Sequence, residues 1–144
     1  MRAFAFSLAI GVMAVWGYST AQAGDSSKKS QSIAEVTVEQ ADKKFKAKKA
    51  VPVDANGQST RESRGVVPGA ILLTSSGQFD AAKELPKDKN TELVFYCANT
   101  MCHASDGAAA RAQKAGYQNV KVMRDGIKGW AAAGKKVDKP KKKS

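Results

Sequence analysis

Hydrophobic and polar positions divide the chain into three unlike stretches. From Ala3 to Trp16 the residues carry no charge and are mostly apolar. Over the middle of the chain, short apolar runs alternate with mixed stretches. The end is polar and lysine-rich. In the middle stretch, Thr37 followed by Gln40 forms a capping box, in which two side chains satisfy backbone N–H groups reciprocally. It predicts a helix that carries Ala41 and Phe45 inward. Val51-Pro52-Val53 predicts a short strand ending at Asp54, Pro68-Gly69 a turn, and Ala70 to Leu73 a second strand. Phe79 to Leu85 reads as a short helix stopped by Pro86. Leu93-Val94-Phe95-Tyr96 is the strongest strand signal, apolar at consecutive positions as a central parallel strand should be. Ser105 is placed to cap a helix through Ala115, which Gly116 ends. Val120 to Met123 is a last strand, and Asp125 can cap a last helix around Trp130. This alternation predicts a small α/β domain with a mainly parallel sheet.

At 144 residues the chain suits one domain at most, which excludes a multidomain enzyme or a large α/β barrel. Two cysteines permit one bridge, so this is not a disulfide-dense miniature. Met1 and Arg2 precede the apolar run, and Ala21-Gln22-Ala23 supplies the small-x-small pattern of signal cleavage. The run is shorter than the ~20 residues of a transmembrane span. Residues 1–23 are therefore expected to be a signal peptide, giving a periplasmic or secreted chain with no stable membrane insertion after cleavage. Residues 24–34 are expected to form a flexible leader, 35–137 the folded domain, and 138–144 a lysine-rich disordered tail.

The net charge of +11 suggests nucleic acid at first. The lysines, however, fall in the polar ends and on one helix, without interleaved aromatics for base stacking. No nucleic-acid partner is expected.

Cys97 directly follows the strongest strand, with a helix predicted soon after. Ligands of open parallel sheets bind beyond the carboxyl ends of the strands, where the next helix offers unpaired N–H groups and its positive dipole end. That field favours thiolate, the reactive form of cysteine. The residues between, Ala98-Asn99-Thr100-Met101, are uncharged, so backbone amides would bind an anion there.

Three stretches together resemble the single-domain rhodanese-like sulfurtransferases. Val53-Asp54 followed by Gly65-Val66-Val67-Pro68-Gly69-Ala70 is similar to that family's "D-x-R … G-H-I-P-G-A" signature. Phe95-Tyr96-Cys97 resembles the strand that delivers its catalytic cysteine into a six-residue loop. Gly126-Ile127-Lys128-Gly129-Trp130-Ala131-Ala132-Ala133-Gly134 resembles its "G-x-x-G-W … A-G" element. The resemblance implies a rhodanese-like α/β fold, a small mainly parallel sheet flanked by helices on both faces. It implies sulfur transfer through a Cys97 persulfide, from a small sulfur-containing anion such as thiosulfate to a thiol or other thiophilic acceptor. The loop Ala98, Asn99, Thr100, Met101, Cys102 and His103 would cradle the anionic sulfur, and no cofactor is implied. Three positions depart from the pattern: Asn56 stands in place of Arg, Val66 of His, and Cys102 of the frequent sixth-position Arg.

Other chemistries fit less well. Cys97-x4-Cys102-His103 is an expanded haem-attachment pattern, but His103 is the only histidine and the spacing exceeds the usual two residues. Zinc would need a fourth ligand, for which the loop offers only Asp106, so no metal is expected. One alternative stays open: a non-catalytic or redox module of the same fold, in which Cys102 is the resolving or redox partner of Cys97 and the pair cycles between dithiol and disulfide.

Overall fold

In a computed structural model of the chain, the described residues are 32–140. The expected signal peptide and the end of the tail lie outside them. The elements follow in the order β1 (Ala34–Glu35), α1 (Val38–Lys46), β2 (Val51–Asp54), α2 (Gln58–Arg64) and β3 (Ile71–Leu72). Then come α3 (Ala81–Glu84), β4 (Leu93–Tyr96), α4 (Ala104–Lys114), β5 (Val120–Met123) and α5 (Gly126–Ala132). The five strands form one parallel sheet in the order β1-β5-β4-β2-β3. β4 lies at its centre, buried along its whole length. The α/β class with a parallel sheet and helices on both faces is thus as expected.

Each face of the sheet carries its own core. On one side Val53, Phe95 and Val122 pack with Phe79, Leu85 and the alanines Ala108, Ala109 and Ala112 of α4. On the other, Val94, Tyr96 and Met123 pack with Val38 and Ala41 of α1 and with Ile127 and Trp130 of α5. The residues α4 packs on the sheet are small, while on the other face Trp130 packs beside Phe45, ring centroids 5.8 Å apart.

The capping box forms as read: Thr37 Oγ1 accepts from the Gln40 amide and Gln40 Oε1 from the Thr37 amide. Three local expectations are corrected. Ser105 does not cap α4; His103 occupies the cap position, and Ser105 lies buried in the first turn. Asp125 stands at the cap position of α5 but makes no side-chain cap bond. The helix expected from Phe79 begins later, because Asp80 caps it by accepting from the Ala82 amide and Phe79 turns into the core. The ends are also tied down further than composition suggests. Ala34 pairs with Lys121, and Asp138 forms an antiparallel bridge with Val66.

Candidate active site

Tyr96 ends β4, and the chain turns out of the sheet at Cys97, which is 1% exposed. The loop runs through half-buried Ala98 and Asn99 to exposed Thr100 and Met101, the latter 85% exposed at the tip. It returns through half-buried Cys102 to exposed His103, where α4 starts. The six loop residues expected to act together are thus contiguous around the start of one helix. An Asx turn shapes the loop: Asn99 Oδ1 accepts from the Met101 amide at 3.0 Å, and the Asn99 carbonyl accepts from the Cys102 amide at 3.1 Å.

Those two amides are spent within the loop, which corrects the expectation that the whole stretch would serve as donors. The amides of Ala98, Asn99, Thr100 and His103, and of Ala104 and Ser105 at the start of α4, have no backbone acceptor among the described residues. Unsatisfied donors at a helix start are what a small anion requires.

Cys97 and Cys102 are joined as a disulfide, Cα atoms 6.2 Å apart, which lies in the ordinary range for such a bridge. Two further groups crowd the buried sulfur. The Cys102 carbonyl oxygen lies 3.0 Å from Cys97 Sγ, a hydrogen bond only when that sulfur is a thiol. Ser105 Oγ lies 3.4 Å away and can donate to a thiolate. Local preference makes Ser105 a cap, but the structure puts its hydroxyl beside the sulfur instead. Its place one turn into the helix that follows the cysteine loop is the signal that could have revealed it.

The loop is held from behind by α5. The Ile127 amide donates to the Cys97 carbonyl at 2.9 Å and the Lys128 amide to the Ala98 carbonyl at 3.0 Å. The start of α5 is therefore capped by the active loop itself. Gly126, at φ +61°, makes this approach possible: a Cβ there would meet the Cys97 carbonyl oxygen at 2.5 Å and the Ala98–Asn99 backbone at 2.8 Å. The first glycine of the Gly126–Trp130 element is thus required by the cysteine loop rather than by its own helix.

Charges surround the loop without entering it. Asp106, in the first turn of α4, accepts from Arg124 at 2.7 Å and lies 3.1 Å from His103 Nδ1; Arg124 also bonds Glu35 at 2.7 Å. Burial pushes the Asp106 carboxyl up, but Arg124 and His103 outweigh it and hold it below the usual carboxylate range. Asp106 is thus committed to Arg124 and His103 rather than completing a metal site with the two cysteines. On the neighbouring strand, Asp54 Oδ1 accepts from the Asn56 amide at 2.7 Å and from Arg61 Nε at 3.2 Å. Arg61 also donates to the carbonyls of Asp54 and Leu73. The guanidinium that position 56 lacks therefore reaches Asp54 from α2.

A family model described as the rhodanese-like domain matches residues 37–133, more than half of the chain. The protein belongs to the rhodanese-like domain family. A search of the curated proteins found no match. Among solved structures, a Rhodopseudomonas palustris protein, RPA3614, of unknown function and described as a possible tyrosine phosphatase, is 28% identical. It has a TM-score of 0.62, over 74% of this chain and 85% of that one. The BH2092 protein of Bacillus halodurans is 21% identical with a TM-score of 0.63, over 73% and 76% of the two chains. A thiosulfate sulfurtransferase of Pseudomonas aeruginosa is 22% identical with a TM-score of 0.57; the likeness covers 76% of this rhodanese-like chain but 21% of that one. The last two likenesses concern the fold.

Proposed function

We propose that the protein is a sulfurtransferase that carries sulfane sulfur on Cys97. The observation that supports this most is the placement of Cys97 in a rhodanese-like domain. The buried sulfur sits at the exit of the central strand, beside the Ser105 hydroxyl, and its loop leads into α4, whose first amides have no backbone acceptor among the described residues. With the bridge to Cys102 reduced, the Cys97 thiolate attacks the outer sulfur of thiosulfate or a related donor. The S–S bond of the donor breaks, sulfite leaves with the electron pair, and Cys97 keeps a persulfide. A thiophile then removes the outer sulfur and restores the thiolate, a two-step covalent cycle. The free amides and Ser105 oppose the negative charge at each stage, as donors of an oxyanion hole do.

The residues also set limits. No arginine lies between Cys97 and Ser105, so a phosphate dianion would lack the bidentate clamp it favours. The phosphatase description of the Rhodopseudomonas protein is therefore not carried over. Export by residues 1–23 belongs to the proposal, and would expose the pair to an oxidising compartment. The Cys97–Cys102 bridge favours a second reading, a redox module that cycles between dithiol and disulfide without moving sulfur. A thiosulfate:cyanide assay on reduced protein separates the two. Thiocyanate formed with ping-pong kinetics supports sulfur transfer. Absence of both thiocyanate and sulfite, with reversible dithiol oxidation intact, supports the redox module.

A further inference from the structure

Cys97 is buried while Cys102 is partly open to solvent, and the two sulfurs are in bonding contact. An acceptor thiol in solution thus meets Cys102 before Cys97. From this asymmetry we propose that Cys102 resolves the Cys97 persulfide internally, so that sulfur leaves as hydrosulfide and the acceptor is a dithiol reductant. The inference rests on the reading of Cys97 as sulfur carrier, and it names the product and the class of acceptor.

The contact is with Cys97's own sulfur, so the Cys102 thiolate attacks Cys97 Sγ, the inner atom of the persulfide. The Sγ–S bond breaks and its electron pair leaves with the outer sulfur, which departs as HS⁻ with the available proton. A Cys97–Cys102 disulfide remains. The sulfane atom and Cys102 Sγ thus compete for one bonding position on Cys97 Sγ, and forming one bond expels the other. The disulfide is two electrons more oxidised than the dithiol, and an external dithiol supplies them. One of its thiolates attacks Cys102, the more exposed residue of the pair, and Cys97 leaves as the thiolate to which the Ser105 hydroxyl can donate. The second thiol of the reductant then attacks the mixed disulfide, frees Cys102, and closes the reductant's own disulfide. Over the cycle, one sulfane sulfur and one dithiol become hydrosulfide and an oxidised dithiol. The bridged form is then the state between release of sulfide and reduction.

The test uses the full chain, reduced, freed of reductant and kept anaerobic, with thiosulfate as the donor. Sulfite, sulfide and the linkage of the two cysteines are measured in a single turnover. Wild type should yield one sulfite and one sulfide per chain and end as the Cys97–Cys102 disulfide. Cys102→Ser should yield sulfite without sulfide and retain the sulfur on Cys97, with Cys102→Ala as a second variant should the serine hydroxyl disturb the loop. A wild type that yields sulfite but no sulfide, or variants that release sulfide equally, would overturn internal resolution while leaving Cys97 as sulfur carrier. A wild type that yields no sulfite would overturn the carrier reading and this inference with it.

Discussion

The carboxyl ends of β2 and β4 are neighbours in register, Asp54 opposite Tyr96, yet the chain uses them for opposite purposes. At the end of β2 most of the polar groups satisfy one another, though Asp54 Oδ2 and Asn56 Nδ2 are buried without a partner among the described residues. Asp54, Arg61, the Asn56 amide and the Leu73 carbonyl form one buried network, and Tyr96 accepts from the Val67 amide nearby. Burial, with Asp54 adding to it, pushes the Tyr96 hydroxyl far above its ordinary value, so it stays a neutral phenol. One residue beyond Tyr96 the balance reverses. The loop after β4 carries a buried sulfur and leaves several amides without a backbone acceptor among the described residues, while α5 occupies its Cys97 and Ala98 carbonyls. Polar groups that mostly satisfy one another hold the end of β2 in place, while donors left free after β4 are available to a ligand. Stability and chemistry are therefore assigned to adjacent strand ends.

That division is open to breakage from either side. Cys97→Ser should lower sulfur transfer to background, a loss of at least about a thousandfold, with the fold retained. Assays on purified protein of unchanged circular dichroism check it, and turnover near wild type would place the nucleophile elsewhere. Arg61→Leu acts on the other strand end. It leaves the Asp54 carboxylate buried without its cation and should cost about 3–5 kcal/mol in denaturant unfolding, with turnover per folded molecule unchanged. A drop in turnover beyond the lost folded fraction would join the two strand ends that we separate.

Gly126→Ala lies where both roles meet, because its Cβ would press on the Cys97 carbonyl. We expect a loss of about 1–3 kcal/mol in stability from strain and overpacking. Turnover should fall by up to about a hundredfold as the loop shifts. Unfolding and kinetics measured on the same preparation show whether the two losses accompany each other. Ser105→Ala should have the smallest effect, about fivefold in kcat/KM for one lost hydrogen bond of about 1 kcal/mol. Its specific signature is an acid limb of the pH–rate profile moved to higher pH, since a thiolate loses a donor and forms less readily. A rate loss without that movement would make Ser105 a packing residue.

Much of this arrangement was legible in the sequence where burial of apolar side chains dictates structure. Leu93–Tyr96 and Val120–Met123 became strands with the boundaries read from their apolar runs, and Cys97 came out at a strand exit. What escaped was held by polar or tertiary forces. α2, Gln-Ser-Thr-Arg-Glu-Ser-Arg, has no apolar position, so hydrophobic periodicity is blind to it; its buried residue is Arg61, held inside by Asp54. β1 is two exposed residues whose only reason to be a strand is pairing with β5. Ser105 matched a cap by local preference, but its hydroxyl lies beside a sulfur eight residues earlier. Gly126 stands out in the sequence only as part of a motif, while its cause, the backbone of the cysteine loop, is visible only in three dimensions.

The central claim is that Cys97 carries sulfur, and intact-protein and peptide mass measurement after thiosulfate tests it most directly. The reduced Cys102→Ser chain removes internal resolution from the observation. After exposure to thiosulfate and removal of excess donor, the mass should rise by one sulfur atom. The gain should map to the peptide containing Cys97 and disappear on addition of cyanide. An unchanged mass, or a gain mapped to a peptide without Cys97, would contradict the account.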